Sequence, residues 1–192
     1  MHMELVFATH NLNKLKELQA LLPKNIKLIS LGEIGCHEDI AETSPTIEGN
    51  ALQKARYVKE NYGKDCFADD TGLEVDALGG APGVYSARYA GEAKSDAENI
   101  SKLLEELQHS SNRRGQFRTV IALVQGDQEH LFTGICSGEI ARQPSGREGF
   151  GYDPVFLPEG YDKTFAQMSL SAKSAISHRG KAVQKLVDFL SK

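Results

Sequence analysis

No C-x-x-C pair occurs among the three cysteines, Cys36, Cys66 and Cys136. Their odd number and wide spacing exclude a disulfide framework and a zinc ribbon, and leave reduced thiols. Basic residues are not in excess: 22 Lys and Arg stand against 26 Asp and Glu, a net charge of -4. Binders of nucleic acid or of membrane surfaces usually carry the opposite balance, so neither partner is expected. The opening Met-His-Met-Glu-Leu-Val-Phe lacks the basic and apolar stretches of a secretory signal. No apolar run approaches the roughly 20 residues of a membrane span. A cytoplasmic location is therefore expected. Walker-type loop, G-x-S-x-G elbow, internal repeat and low-complexity tract are all missing.

What is present is ordinary for a globular protein. The chain has 192 residues, 40% hydrophobic and 25% charged, which suits a single domain over 1–192. Glu4–Thr9 is a short apolar run that reads as a buried strand. Asn11 or Asn13 then caps a helix to about Leu22, with Leu15, Leu18, Leu21 and Leu22 on one face. Ile26–Leu31 reads as a second strand. Ser44-Pro45 offers a capping hydroxyl and a first-turn proline for a helix that runs to Tyr62 and ends at Gly63. Asp65–Asp69 is a strand, and Gly72–Leu78 extends pairing after a turn. Ser95 caps a helix through Gln108. Phe117–Gln125 and His130–Ile140, joined at Gly126-Asp127-Gln128, make a long hairpin. Val155–Leu157 is a last strand, and Ser174 or Ser177 caps a C-terminal helix to Leu190. Early alternation of helix and strand with a late hairpin predicts an α/β fold on a mixed sheet.

Five places carry candidate chemistry. Thr9, His10, Asn11, Leu12, Asn13 and Lys14 lie where the first strand passes into the first helix. Helix N-termini offer free N–H groups and partial positive charge, which suit phosphate; plain capping explains the same residues. On the helix after Pro45, Asn50 and Lys54 fall within or beside the stripe of Ile47, Ala51, Ala55 and Val58. They face either an anionic site or, for the lysine, water reached by its long stem. Asp69 and Asp70 close an apolar strand. Adjacent strand residues point to opposite faces, so one carboxylate enters a site while the other supports it; an Asx turn is the alternative. Around Phe150, Gly149 and Gly151 let a flat ligand approach while a ring stacks on it, or else simply make a turn. Lys173, Ser177, His178 and Arg179 open the last helix. A cation in a first turn opposes the helix dipole and calls for a compensating group.

Taken together these segments resemble the ITP/XTP pyrophosphatase family, the non-canonical purine NTP pyrophosphatases. The matching pieces are T-x-N-x-x-K at Thr9–Lys14, E-T then N-A-x-x-K-A at Glu42–Ala55, and A-D-D-T-G-L at Ala68–Leu73. G-G-A-P-G-V-Y-S-A-R-Y-A-G at Gly79–Gly91, then G-F-G-Y-D-P and S-H-R, complete the set. Each piece is weak, but six in order over nearly the whole chain are specific. The resemblance implies an elongated two-lobed α/β fold with a central cleft, a homodimer, and Mg²⁺-dependent hydrolysis of ITP, dITP or XTP to monophosphate and pyrophosphate.

Carried over by residue, it implies phosphate binding at Thr9, His10, Asn11, Leu12, Asn13 and Lys14, with Lys54 at the leaving pyrophosphate. It implies metal at Glu42 and Asp70, with Asp70 also accepting the proton from water. Thr71 would touch substrate, Phe150 would stack on the base, and Gly151, Tyr152 and Asp153 would complete that wall. Lys173, His178 and Arg179 would reach the base, the last two donating to its 6-keto oxygen. Two departures stand out. His10 replaces a common glycine, and Ile47 and Gly49 replace an aromatic and an acid. A broad nucleotide hydrolase and a non-catalytic nucleotide-binding module are the competing readings.

Overall fold

The computed structural model describes residues 3–192. Six strands form one sheet in the order β2-β1-β3-β4-β5-β6. β1 (Met3–Phe7) runs parallel to β2 (Ile26–Ile29) and to β3 (Cys66–Val75). β4 (Arg114–Gln125) and β5 (Gln128–Ile140) are joined by Gly126-Asp127 alone, a link short enough only for an antiparallel pair. Gly126 has φ +58°, which the tight turn requires. β6 (Phe156–Pro158) pairs antiparallel with the end of β5. The sheet is thus mixed, as the alternation of elements predicted.

The helices start where local chemistry places them, with two departures. α1 (Leu12–Leu21) is capped by Asn11, whose side chain accepts from the N–H groups of Asn13 and Lys14. α3 (Asp96–Glu106) is capped by Ser95. α2 (Ile47–Tyr62) is capped by Thr46, not by Ser44-Pro45, and ends at left-handed Gly63. Ser44 instead accepts from the Thr46 N–H and donates its own N–H to buried Asn50. Asn50 therefore staples the loop before α2 to the helix. The C-terminal helix starts after Ser177 and reaches Leu190, one of the two expected starts, and a short further helix precedes it. α4 (Leu170–Ile176) starts at Ser169, and α5 (His178–Leu190) follows after Ser177 breaks the run with extended backbone. Ser174 lies inside α4.

The chain divides into two compact units, each built from separate stretches of sequence. The first comprises the chain up to Asp70, Thr119–Gly134 and Arg179–Lys192; the second comprises Thr71–Arg118 and Ile135–His178. In the first, Leu18, Ile121, Leu123 and Leu186 pack with Phe7 and Phe67, whose rings stack at 4.7 Å and 8°. In the second, Phe117, Phe156 and Phe165 form an aromatic centre with ring separations of 4.6, 5.1 and 6.0 Å. Burial of each such side chain stabilises by about 1.5–3 kcal/mol. The two cores give polar groups at their margins rigid supports.

Candidate active site

The acid pair does not end a strand. β3 continues past Asp69 and Asp70 to Val75, so the expected turn after Asp70 is absent. Leu73 and Val75 are fully buried in the second core, and β1 and β4 flank β3 in the sheet. Pairing and burial on both sides override the local preference of two acids and Gly72 for a turn. Both carboxyl groups are buried, Asp69 at 0% and Asp70 at 7% exposure.

Strand alternation sends the two acids to different neighbours. Asp69 accepts from Lys14 Nζ of α1 at 3.1 Å and from Arg179 Nε of α5 at 3.2 Å. Burial pushes its carboxyl up, but Lys14, Arg179 and Lys54 hold it well below the usual range, so it stays ionised. Asp70 has no such direct partner, and its Oδ2 is a buried oxygen without a hydrogen bond. Burial pushes it up to about 6; Lys54 and Lys14 pull it down, while Glu42 and Asp69 add to the rise.

Lys54 bridges the cluster. Its buried ammonium donates to Glu42 Oε1 at 2.9 Å and to the Asp69 backbone oxygen at 2.5 Å. Burial opposes its charge, but Glu42, Asp70 and Asp69 more than restore it. Lys14 is moved the other way: burial, with Lys54 and Arg179 nearby, outweighs Asp69 and lowers its pKa.

Arg179 meets the first-turn expectation of a compensating group, but the group is the protein's own. Its Nη1 donates to Glu17 Oε2 at 2.6 Å in addition to the Asp69 contact. Glu17, buried on α1, was absent from the sequence candidates. Its one signal is its place three residues after Lys14, on the same helix face. The geometry makes Arg179 a counter-ion in the acid cluster.

The loop before α1 caps its helix. Thr9 Oγ1 accepts from the Asn11 N–H, and Asn11 caps the helix. Leu12 is 77% exposed, which leaves the first turn open to solvent. His10 is also exposed and pairs through Nε2 with the Glu38 carbonyl at 2.9 Å. Glu38 is in turn gripped by the hydroxyls of Tyr57 and Tyr62 on α2 at 2.7 and 2.6 Å. His10 thus tethers this loop to the segment leading to Glu42, rather than crowding it. A neutral hydrogen bond contributes about 1 kcal/mol. His10→Gly is accordingly expected to raise the substrate KM about threefold to fivefold, with melting within about 2 °C of the parent. An unchanged KM in steady-state assays would show the tether to be idle.

The residues present fit Mg²⁺. Asp70 offers an unused buried oxygen, and Glu42 shares Lys54 with it. Mg²⁺ is commonly held by one or two carboxylates, with waters and phosphate oxygens in the remaining positions. Among the described residues no group of three or more His, Cys, Asp or Glu is arranged to hold a metal. Gly49 supplies no further ligand, and a Cβ there would lie 1.9 Å from Ser44 Oγ. Asp69 is engaged by Lys14 and Arg179.

The second unit holds the aromatic candidates. Phe150 is half-buried between Gly149 at φ +74° and Gly151 at φ +61°. Its N–H donates to Asp153 Oδ2 at 3.1 Å. The same oxygen accepts from Lys173 Nζ of α4 at 2.7 Å, and that ammonium lies 5.2 Å from the Phe150 ring centre. Tyr152 is buried and donates its hydroxyl to the Ser86 carbonyl at 2.6 Å, so it supports the loop from behind. His178 is buried with its ring stacked on Phe117 at 4.5 Å. Lys173 and His178 both flank Phe165. Thr71 is half-buried at the start of this unit. The named residues thus fall into two clusters, one of cations and carboxylates and one of aromatic and polar groups around Phe150.

A family model described as the Ham1 family matches residues 5–189. The dITP/XTP pyrophosphatase of Flavobacterium psychrophilum is 60% identical over 187 residues, 97% of this chain and 98% of that protein. The dITP/XTP pyrophosphatase of Bacillus subtilis is 45% identical over 191 residues, 97% of this chain and 96% of that protein. Among solved structures, the Ham1 protein of Staphylococcus aureus is 44% identical with a TM-score of 0.90, and the match covers 98% of each chain. A HAM1 protein from Coxiella burnetii is 42% identical with a TM-score of 0.91 and equal coverage. Sequence, fold and the order of the motifs agree over nearly the full length, and the chain belongs to the Ham1 family.

Proposed function

We propose that this chain is a nucleoside-triphosphate pyrophosphatase that converts non-canonical purine nucleotides (dITP, ITP and XTP) to the monophosphate and pyrophosphate, with Mg²⁺ as cofactor. The observation that carries the reading is the first unit's cluster, in which a buried carboxylate with an unused oxygen sits beside two lysines. Glu42 and Asp70 would hold Mg²⁺, which when bound neutralises phosphate charge. Lys14 and Lys54 stabilise the leaving pyrophosphate. Phosphoryl transfer needs such positioning and charge neutralisation more than covalent help.

In the reaction, a water oxygen bonds to the α-phosphorus while the bond from that phosphorus to the bridging oxygen breaks. Asp70 takes the water's proton, for which a carboxyl moved up to about 6 is better suited than an ordinary one. The residues of the loop before α1, Thr9, His10, Asn11, Leu12, Asn13 and Lys14, receive the phosphates at a helix N-terminus. In the second unit Phe150 stacks on the base, and Gly151, Tyr152 and Asp153 shape the wall around it. Thr71 touches substrate. Lys173 reaches toward the base, and His178 and Arg179 donate toward the 6-keto oxygen, which adenine lacks. Arg179 also serves as the counter-ion of Asp69. The reading includes a homodimer, supported by the family resemblance, and action in the cytoplasm, where free nucleotides are made and used.

The test is pyrophosphate release from dITP, XTP, ITP, GTP, dUTP and ATP, with Mg²⁺ and with EDTA. We expect the three non-canonical purines to exceed ATP in kcat/KM by at least about a hundredfold, and EDTA to stop turnover. Equal rates on ATP, or release of orthophosphate in place of pyrophosphate, would overturn the reading.

A further inference from the structure

Phe150 sits in an unusual backbone setting. The residues on both sides are glycines in the left-handed region, at φ +74° and +61°. Left to itself such a segment swivels readily, because glycine loses the most conformational freedom on ordering. A ring used as a stacking surface needs a fixed plane.

Two successive amides around the ring are each held by a carboxylate. The Phe150 N–H donates to Asp153, which Lys173 fixes in turn. The next amide, Gly151 N–H, donates to Asp96 Oδ2 at 2.8 Å. Asp96 is the first residue of α3 and lies 55 positions away in sequence. An acid in the first turn of α3 suits the helix dipole, but Ser95 already caps the helix, so the Asp96 side chain is left to reach the Gly151 amide.

The same helix turn holds a second loop. Asn99, three residues on and 3% exposed, accepts from the Ala90 N–H at 2.7 Å and donates to the Ala87 carbonyl at 2.9 Å. Residues i and i+3 share a helix face. The start of α3 therefore fastens the Ala87–Ala90 loop with Asn99 and the Phe150–Gly151 loop with Asp96. Those loops are also joined directly, by Tyr152 to the Ser86 carbonyl.

We infer that Asp96 is a positioning residue for base recognition: it fixes the Gly151 amide and through it the plane of the Phe150 ring. This inference rests on the reading that Phe150 stacks on the base. Asp96 is exposed and belongs to no other polar cluster described above. Its loss is expected to weaken substrate binding while leaving the carboxylate chemistry of the first unit intact.

The experiment is steady-state kinetics on dITP with Phe150→Ala, Asp96→Ala, Asp96→Asn and the Phe150→Ala/Asp96→Ala double variant, each with a melting curve. Asp96→Ala is expected to raise KM about tenfold with kcat within about twofold, as for loss of a charge-assisted hydrogen bond to a loop. Asp96→Asn keeps a carbonyl acceptor and should recover most of that loss. The double variant should be little worse than Phe150→Ala alone, because the two changes act on one interaction.

Three results would overturn the inference while leaving the stacking reading intact, provided that Phe150→Ala itself raises KM. They are a KM unmoved by Asp96→Ala, additive losses in the double variant, and equal impairment by Ala and Asn. If Phe150→Ala leaves KM unchanged, the stacking reading fails and the role of Asp96 fails with it.

Discussion

Asp70→Asn is expected to lose turnover by about a thousandfold or more and yet to melt higher than the parent when metal is removed. The loss follows from its two assigned tasks, metal binding and proton acceptance, each of which contributes orders of magnitude to rate. The gain follows from its surroundings. Asp70 is buried, one oxygen lacks a hydrogen bond, and its carboxyl is pushed up from 3.8 to about 6. A folded value above the unfolded one means that ionisation opposes folding. The group's favourable contribution is complete below pH 4 and is lost as pH rises through about 6.

At pH 8 in EDTA the parent therefore carries a destabilisation of about 3 kcal/mol from this one ionised group, which asparagine removes. For a chain of this size that corresponds to a rise of about 5–10 °C. At pH 4 the difference should vanish. Mg²⁺ should raise the melting temperature of the parent and not that of the variant, since a ligand stabilises only the state it binds. Melting curves at the two pH values decide the matter. No gain at pH 8 would mean that Asp70 is not electrostatically frustrated, and retained turnover would remove it from the site.

How far such conclusions were legible in sequence depended on the distance over which each residue's role is set. The caps at Asn11 and Ser95, the stop at Gly63 and the turn at Gly126-Asp127 are set by one or two neighbours, and they were read correctly. The start of α2 was misread because Ser44-Pro45 carries the better local signal. The native loop uses Ser44 to brace Thr46, which then caps. α4 is not legible because Leu170–Ile176 is only two turns long and has Lys173 as its one buried residue, so no apolar stripe marks it. The passage of β3 through the acid pair could not be seen locally, since its neighbours β1 and β4 and the core around Leu73 and Val75 impose it. The assignment of Phe150, Asp70 and Glu42 came from the order of six motifs, not from any one of them. The roles of Glu17 and Asp96 are not set locally, because their partners lie 162 and 55 residues away.

The asymmetry of the acid pair is most exposed to test in Asp69→Asn, which should behave in the opposite sense to Asp70→Asn. Asp69 is 0% exposed and takes hydrogen bonds from Lys14 and Arg179. Removing one partner of a buried ion pair leaves a charge uncompensated and costs about 3–5 kcal/mol. Lys14 can relieve part of that by giving up its proton, for its pKa is already lowered; Arg179 cannot. The carboxyl of Asp69 is held below its ordinary 3.8, so its contribution is present above that pH and lost as pH falls through the folded value. The deficit in Asp69→Asn should thus be full at pH 7 and shrink in strong acid.

Turnover should fall less than in Asp70→Asn, by about tenfold to a hundredfold, because Lys14 loses its anchor while the metal ligands remain. Pairing Asp69→Asn with Arg179→Met should restore part of the lost stability, with a coupling energy of about 1–3 kcal/mol in a double-mutant cycle. Glu17 limits that rescue, since the second change takes away its own partner. If both asparagine variants instead lost turnover equally and melted alike, the two carboxylates would be acting as one metal clamp. The division of labour assigned to them would then be wrong.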